Sequence, residues 1–160
     1  MMNARTFRQR CSYLFELASR HNRPMALGYL DLDGFKGIND TLGHSVGDQV
    51  LKAVADTLLN RLRASDIGAR LGGDEFAILL PETDLAGARI FFAALHKSLL
   101  DLTALNHWPI GFSIGIAVFL SPVGHPDDAI RYADNLMYKV KKSDKNSTLF
   151  EEYGEIARND

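Results

Sequence analysis

Gly72-Gly73-Asp74-Glu75-Phe76 decides the reading of this chain: two glycines, two acids, and then the apolar run Phe76-Ala77-Ile78-Leu79-Leu80, which stops at Pro81. Glycine enters backbone conformations closed to other residues and lets a bulky ligand lie against the chain. The apolar run has the length and bounds of a buried strand, and Ile67 to Leu71, just before the glycines, is a second one. The five residues are therefore the expected tip of a β-hairpin. Carboxylates at a tight turn entering a sheet are well placed to hold a metal and a phosphate.

Outward from the hairpin the chain alternates helices and strands. Phe7, Cys11, Leu14, Phe15 and Ala18, three and four apart, predict an amphipathic helix from about Arg5 to His21, ended by Asn22-Arg23-Pro24. Met25 to Leu32 reads as a strand with Leu27, Tyr29 and Asp31 on one face and Ala26, Gly28, Leu30 and Leu32 on the other; it ends in the turn-like acidic tip Asp31-Leu32-Asp33-Gly34. After a loop around Gly43 and Gly47, the residues Val46, Val50, Leu51, Val54, Leu58 and Leu62 trace one side of a long helix. Beyond the hairpin, Thr83 or Asp84 caps a helix from Leu85 to Leu100 with Ile90, Phe91, Leu95 and Leu99 facing inward, and residues 101–109 read as a connection.

Ile110 to Phe119 alternates strictly, the large Phe112, Ile114, Ile116 and Val118 opposing the small Gly111, Ser113, Gly115 and Ala117. Pro122 to Pro126 reads as a loop, Asp127 to Lys142 as a helix with Ile130, Ala133, Met137 and Val140 inward, and Thr148 to Phe150 as a last short strand. The expectation is an α/β (α+β) fold: a single mixed, mainly antiparallel sheet of about five strands with helices on both faces. With no internal repeat or low-complexity tract, residues 1–150 form one domain and 151–160 a polar tail or linker.

Bulk composition narrows the partners. The 160 residues are 46% hydrophobic and 24% charged, an ordinary globular balance for one core. Twenty acidic against 18 basic residues leave a formal charge of -2, which argues against a general nucleic-acid binder. The single Cys11 excludes an internal disulfide and points to a reducing, cytoplasmic compartment. No apolar run approaches the ~18 residues of a spanning helix, and the polar start has no signal-peptide pattern.

Magnesium takes hard oxygen ligands, commonly one or two carboxylates plus the phosphate oxygens of a nucleotide. If the strand ending at Asp31 and the one entered through Asp74-Glu75 are antiparallel neighbours, Asp31 and Asp74 can share a metal. Taken singly, Asp33-Gly34 and Gly73-Asp74 read first as turn residues; taken together, two acidic strand ends with glycines and a nearby lysine make that the weaker reading. By chemistry alone Lys141 and Lys145 read either as phosphate cations or as a solvated basic helix end. Asn39 and Asp48 read first as helix-terminal residues, while for Arg63 with Asp66 a surface ion pair after a helix accounts for the pattern as readily as a site does.

The series Asp31-Leu32-Asp33-Gly34-Phe35-Lys36, Asn39-Asp40, Gly43-His44, Gly47-Asp48, Gly72 to Phe76, Phe112-Ser113-Ile114-Gly115, and Ala133-Asp134 through Tyr138, Lys141 and Asn146 closely resembles the GGDEF family of diguanylate cyclases, over about residues 3–150. The resemblance implies a nucleotidyl-cyclase, ferredoxin-like fold and the condensation of two GTP into cyclic di-GMP by a homodimer. It implies that Asp31, the Leu32 carbonyl and Asp74 hold magnesium (or manganese), with Glu75 a further metal contact or proton acceptor. Strict alternation, by contrast, would point Glu75 away from Asp74.

By the same resemblance, Gly34, Phe35, Lys36, Gly72, Gly73, Lys141 and Lys145 contact the nucleotide, and Asn39 and Asp48 read guanine. Arg63-Ala64-Ser65-Asp66 resembles the family's R-x-x-D inhibitory product site, where an arginine fork meets guanine and phosphate. The usual D-x-L-T-G-L-x-N-R opening is entered only at Asn3, with Ala4 in place of the first arginine, and Asp144-Lys145-Asn146 replaces Gly-Arg-Asn. A truncated catalytic domain is therefore expected, with a regulatory domain upstream, a phosphodiesterase domain as a possible downstream neighbour, and a parent open to membrane anchoring. The rival expectation is a catalytically silent GGDEF module that binds GTP or cyclic di-GMP and regulates a partner domain.

Overall fold

The computed structural model describes residues 1–121 and 124–155. The elements run α1 (Ala4–His21), β1 (Met25–Asp33), α2 (Phe35–Leu42), α3 (His44–Arg61), β2 (Ile67–Gly72), β3 (Glu75–Pro81), α4 (Leu85–Asn106), β4 (Gly111–Ser121), α5 (Pro126–Lys142) and β5 (Thr148–Glu155). The five strands form one sheet in the order β2-β3-β1-β4-β5. Every pairing is antiparallel except β4 with β5.

Period-two alternation in the strands sorts side chains into two cores. On one face Ala26, Leu30, Leu32, Phe76, Ile78, Ile114 and Ile116 pack under α2, α3 and α4; on the other Met25, Leu27, Tyr29, Ala77, Leu79 and Ala117 pack under α1 and α5. Gly115 has no room for a side chain, because a Cβ there would collide with the α5 backbone at Met137 and Ala133. The small face of β4 is thus the seat of α5.

Four expectations are corrected. Residues 35–42, between the acidic tip and the expected loop and assigned to no element from sequence, form α2, and Gly47, expected in that loop, lies inside α3. A helix holds there because Gly34 turns the chain at φ 82° and Gly47 leaves space that the Asn39 side chain fills. The helix expected to stop at Leu100 continues through the supposed connection to Asn106. Its core residue is Phe92, whereas Ile90 is 74% exposed, because the apolar stripe runs Ala88, Phe92, Leu95, Leu99.

Last, β5 runs on to Glu155, so residues 151–155 belong to the sheet; their polar sequence suits an edge strand with one solvated face. Of the Pro122 to Pro126 loop, residues 122 and 123 lie outside the described set, as do residues 156–160 of the tail; Pro126 itself opens α5. Among the described residues no helix is long and apolar enough to cross a membrane.

Candidate functional site

The acids meet at one end of the sheet, on the α5 side. Antiparallel register sets Asp31 of β1 opposite Glu75 of β3, and the Leu32 N–H donates to the Asp74 carbonyl at 3.3 Å. The hairpin tip is shaped by Gly73 at φ 50° and by a break in register between Arg70 and Gly72. Arg70 Nε donates to the Gly73 carbonyl at 2.9 Å and ties the tip down. Asp74 thus sits in the turn, where strand alternation does not govern it, and both acids of the pair face the α5 side. Asp74 lies beside Asp31, and Glu75 accepts a hydrogen bond of 2.7 Å from Tyr29 Oη.

Lys141, near the end of α5, places Nζ 2.7 Å from Asp31 Oδ2 and 3.9 Å from Asp33 Oδ1. Burial pushes the Asp31 carboxyl up to about 6, while the Lys141 ammonium pulls it down and the Asp74 charge adds to the rise. For Lys141 burial acts downward, but Asp31 and then Asp33 and Asp74 outweigh it and leave the ammonium above its ordinary value. Burial first, then the bond to Glu75, raises the Tyr29 phenol strongly; burial and the Glu75 charge raise Asp134.

Asp31 Oδ1 is buried and, among the described residues, has no hydrogen-bond partner. A buried carboxylate oxygen left unpaired is costly and is satisfied by a cation. Among the described residues no group of three His, Cys, Asp or Glu forms a ready cage. Two carboxylates and a backbone carbonyl, completed by nucleotide phosphates, are nonetheless a set that magnesium accepts. Asp31, Asp74 and Leu32 fit the ion on these grounds.

The other expected residues spread from this centre. Gly34, Phe35 and Lys36 form the N-terminal end of α2, which no side chain caps, and Lys36 is exposed. Asn39 packs on Gly47, which brings it to the start of α3 beside Asp48. Asp48 lines a hollow of about 340 Å³ with Met1, Leu51, Lys52, Ala55 and Arg70. Met1, Leu51, Lys52 and Arg70 carried no motif signal of their own; only folding brings three separate segments to this hollow. Met1 is held there by a parallel bridge between its neighbour Met2 and Ala69 of β2, the edge strand. Lys145 is exposed in the turn after α5, and no ion pair among the described residues joins it to the acids.

Arg63 and Asp66 form their own unit. Asp66 is buried and takes Arg63 Nε at 3.1 Å, Nη2 at 3.0 Å and the Arg63 backbone N–H at 2.8 Å. The same guanidinium reaches the Pro81 carbonyl and Thr83 Oγ1. It also borders a hollow of about 430 Å³ together with Arg10, His21 and Arg23.

The family model described as diguanylate cyclase, GGDEF domain, matches residues 1–147. The chain is 37% identical over 136 residues to the probable diguanylate cyclase DgcC of Escherichia coli, covering 84% of this chain and 37% of that protein. Among solved structures it resembles the GGDEF domain of YfiN (TpbB) from Pseudomonas aeruginosa, with a TM-score of 0.85, 34% identity and coverage of 96% of this chain and 98% of the other. A microbial GGDEF domain described in an interaction with cyclic di-GMP superposes with a TM-score of 0.79 at 30% identity, covering 94% of each chain. The chain spans about a third of the length of curated relatives such as the probable diguanylate cyclases DgcC and DgcT of Escherichia coli.

Proposed function

Because this chain belongs to the GGDEF family of diguanylate cyclase domains, we propose that it condenses two GTP into cyclic di-GMP and two pyrophosphates, as a homodimer in which each copy presents one GTP. The observation that carries the reading is the unpaired, buried Oδ1 of Asp31 beside Asp74, a cation site at a strand end. Each half-reaction forms a P–O bond between the ribose 3′ oxygen of one GTP and the α-phosphorus of the other, and breaks the bond to pyrophosphate. Magnesium or manganese held by Asp31, the Leu32 carbonyl and Asp74 supplies Lewis acidity toward the attacking oxygen and the phosphates.

The protein's own groups do the rest. The backbone of Gly34 and Phe35, at the uncapped helix start, and the Lys36 ammonium bind phosphate oxygens. Gly72 and Gly73 keep side chains out of the nucleotide's path. Lys141 is held at the acids, ready to pass to a phosphate, and Lys145 adds a second cation at the end of α5. Asp48 accepts from guanine and Asn39 pairs with its acceptor edge, while Met1, Leu51 and Ala55 wall the base. Tyr29 fixes the Glu75 carboxylate, which accepts the 3′ hydroxyl proton.

Arg63 and Asp66, with Arg10, His21 and Arg23 around the adjacent hollow, form a product-binding brake. The parent protein carries this domain in the cytoplasm, with regulatory or phosphodiesterase domains beside it.

The test is direct. The purified chain is incubated with GTP and magnesium, and its nucleotides are resolved by chromatography; cyclic di-GMP and pyrophosphate are expected. Asp74→Ala is expected to abolish turnover and leave the melting temperature unchanged, since Asp74 lies in a turn outside the core. Arg63→Ala is expected to relieve inhibition by added cyclic di-GMP. The basic hollow at Arg63 also favours a second reading, a silent module that binds cyclic di-GMP and regulates a partner. Unchanged GTP together with tight cyclic di-GMP binding would select it.

A further inference from the structure

Asp31 and Asp33 stand two residues apart on the same face of β1, yet their oxygens differ. Among the described residues Asp31 Oδ1 has no partner, whereas both oxygens of Asp33 are taken. Ser113 Oγ donates to each at 2.8 Å, the Asn146 N–H donates to Oδ2 at 2.8 Å, and Lys141 Nζ stands 3.9 Å from Oδ1. A carboxylate so filled is a poor place for a metal and a good anchor.

What it anchors is the turn between α5 and β5. Lys145 and Asn146 both adopt positive φ, 48° and 43°, a backbone that side-chain-bearing residues keep only when their surroundings hold them. The Asn146 backbone is held by Asp33, and its side-chain Oδ1 accepts from the Phe112 N–H at 2.9 Å and lies 3.1 Å from His96 Nε2. The side chain fits because residue 111, paired with Asp33 across the sheet, is glycine; a Cβ there would fall 2.7 Å from Asn146 Cβ. Three segments distant in sequence thus converge on one turn, and that turn carries Lys145.

We propose that Asp33 is a positioning residue for the triphosphate of the substrate: acting through Asn146 it sets the turn that presents Lys145, and its charge helps keep Lys141 at the end of α5 aimed at the acidic site. The proposal rests on the reading of GTP as substrate. Removing the anchor frees the turn without touching the metal ligands, so binding of the phosphates falls while the chemical step survives.

The experiment compares Asp33→Ala, Asp33→Asn, Asn146→Ala and Ser113→Ala in the full chain. Steady-state turnover of GTP is measured, and GTP and guanosine are titrated calorimetrically with magnesium. Asp33→Ala is expected to raise KM for GTP about tenfold with kcat within about twofold, the signature of lost ground-state binding. Asn146→Ala should do the same, and the double variant should add little, because the two residues act as one unit. Asp33→Asn keeps an acceptor oxygen and recovers most of the loss. Ser113→Ala takes a partner from the same half-buried carboxylate, spares the turn and keeps KM. GTP binding weakens in Asp33→Ala while guanosine binding holds.

Equal loss for GTP and guanosine, or a KM rise in Ser113→Ala as large as in Asp33→Ala, overturns the proposal by reducing Asp33 to a folding residue. Unchanged GTP affinity in Asp33→Ala overturns it outright. A wild-type chain that binds no GTP overturns instead the substrate reading beneath it, and the proposal with it.

Discussion

Asp31 is buried to 7% exposure with one oxygen unpaired, and the metal-free protein carries that as a cost. Its carboxyl, raised to about 6, keeps its proton in the folded chain at a pH where the unfolded chain has released it. The contribution of this group is therefore most favourable below about pH 4, the ordinary carboxylate value, and is lost as pH rises through about 6. In chelator, Asp31→Asn is expected to gain about 1–3 kcal/mol over wild type above that window and little below it, read from urea midpoints at the two pH values. Magnesium should raise the wild-type melting temperature and leave that of Asp31→Asn unmoved, since an ion that binds only the folded state stabilises by mass action. Cys11, 1% exposed and with its thiol pushed up to about 12 by burial, is expected to resist alkylation until the chain is unfolded. The acidic pair was legible in sequence because it follows two glycines at the entry to an apolar run and has a counterpart in the acidic tip at Asp31. The direction of Glu75 was not, because alternation fails across a turn and the bond from Tyr29 crosses between strands.

The elements that position the site are α5 and the hairpin. The small residues of β4 announced a close neighbour without naming it; the neighbour is α5, which brings Lys141 over the acids. Gly115→Ala drives a Cβ into the α5 backbone and is expected to cost about 1–3 kcal/mol or more, measured by denaturant unfolding, with the larger loss in GTP turnover because Lys141 shifts as well. The helix α2 escaped sequence reading because its eight residues include a glycine, a threonine and an asparagine, and it bears one buried apolar side chain, Ile38. It persists by packing on α3 through the Asn39–Gly47 contact rather than by its own propensity. On the inward face of α4 Ile90 was misplaced and Phe92 missed, with Phe91 at the edge of the core, because the apolar run Ile90-Phe91-Phe92 leaves periodicity undecided. The sheet resolves it by setting Phe92 against Gly28.

For the whole molecule, the proposed chemistry needs two active centres face to face. Initial rate per chain is thus expected to rise with protein concentration until dimers saturate, while a monomolecular nucleotide hydrolysis would stay flat; assays across a concentration series with sedimentation on the same samples check this. Within one copy, the sheet order β2-β3-β1-β4-β5 sets β1 in the centre, flanked by the hairpin strand on one side and β4 on the other. That arrangement alone makes Asp31 neighbour to Glu75 and Ser113 at once. By itself the sequence determined the strand faces, the inward faces of α1, α3 and α5, the hairpin tip and the identities of the acids, because periodicity, glycine turns and charge are local properties. Only the tertiary structure decided which carboxylate stays open and which is filled, that Lys141 closes on Asp31, that Met1 and Arg70 share a hollow with Asp48, and that Asp33 grips Asn146. Those are contacts between residues far apart along the chain, and they exist only once packing has chosen the register.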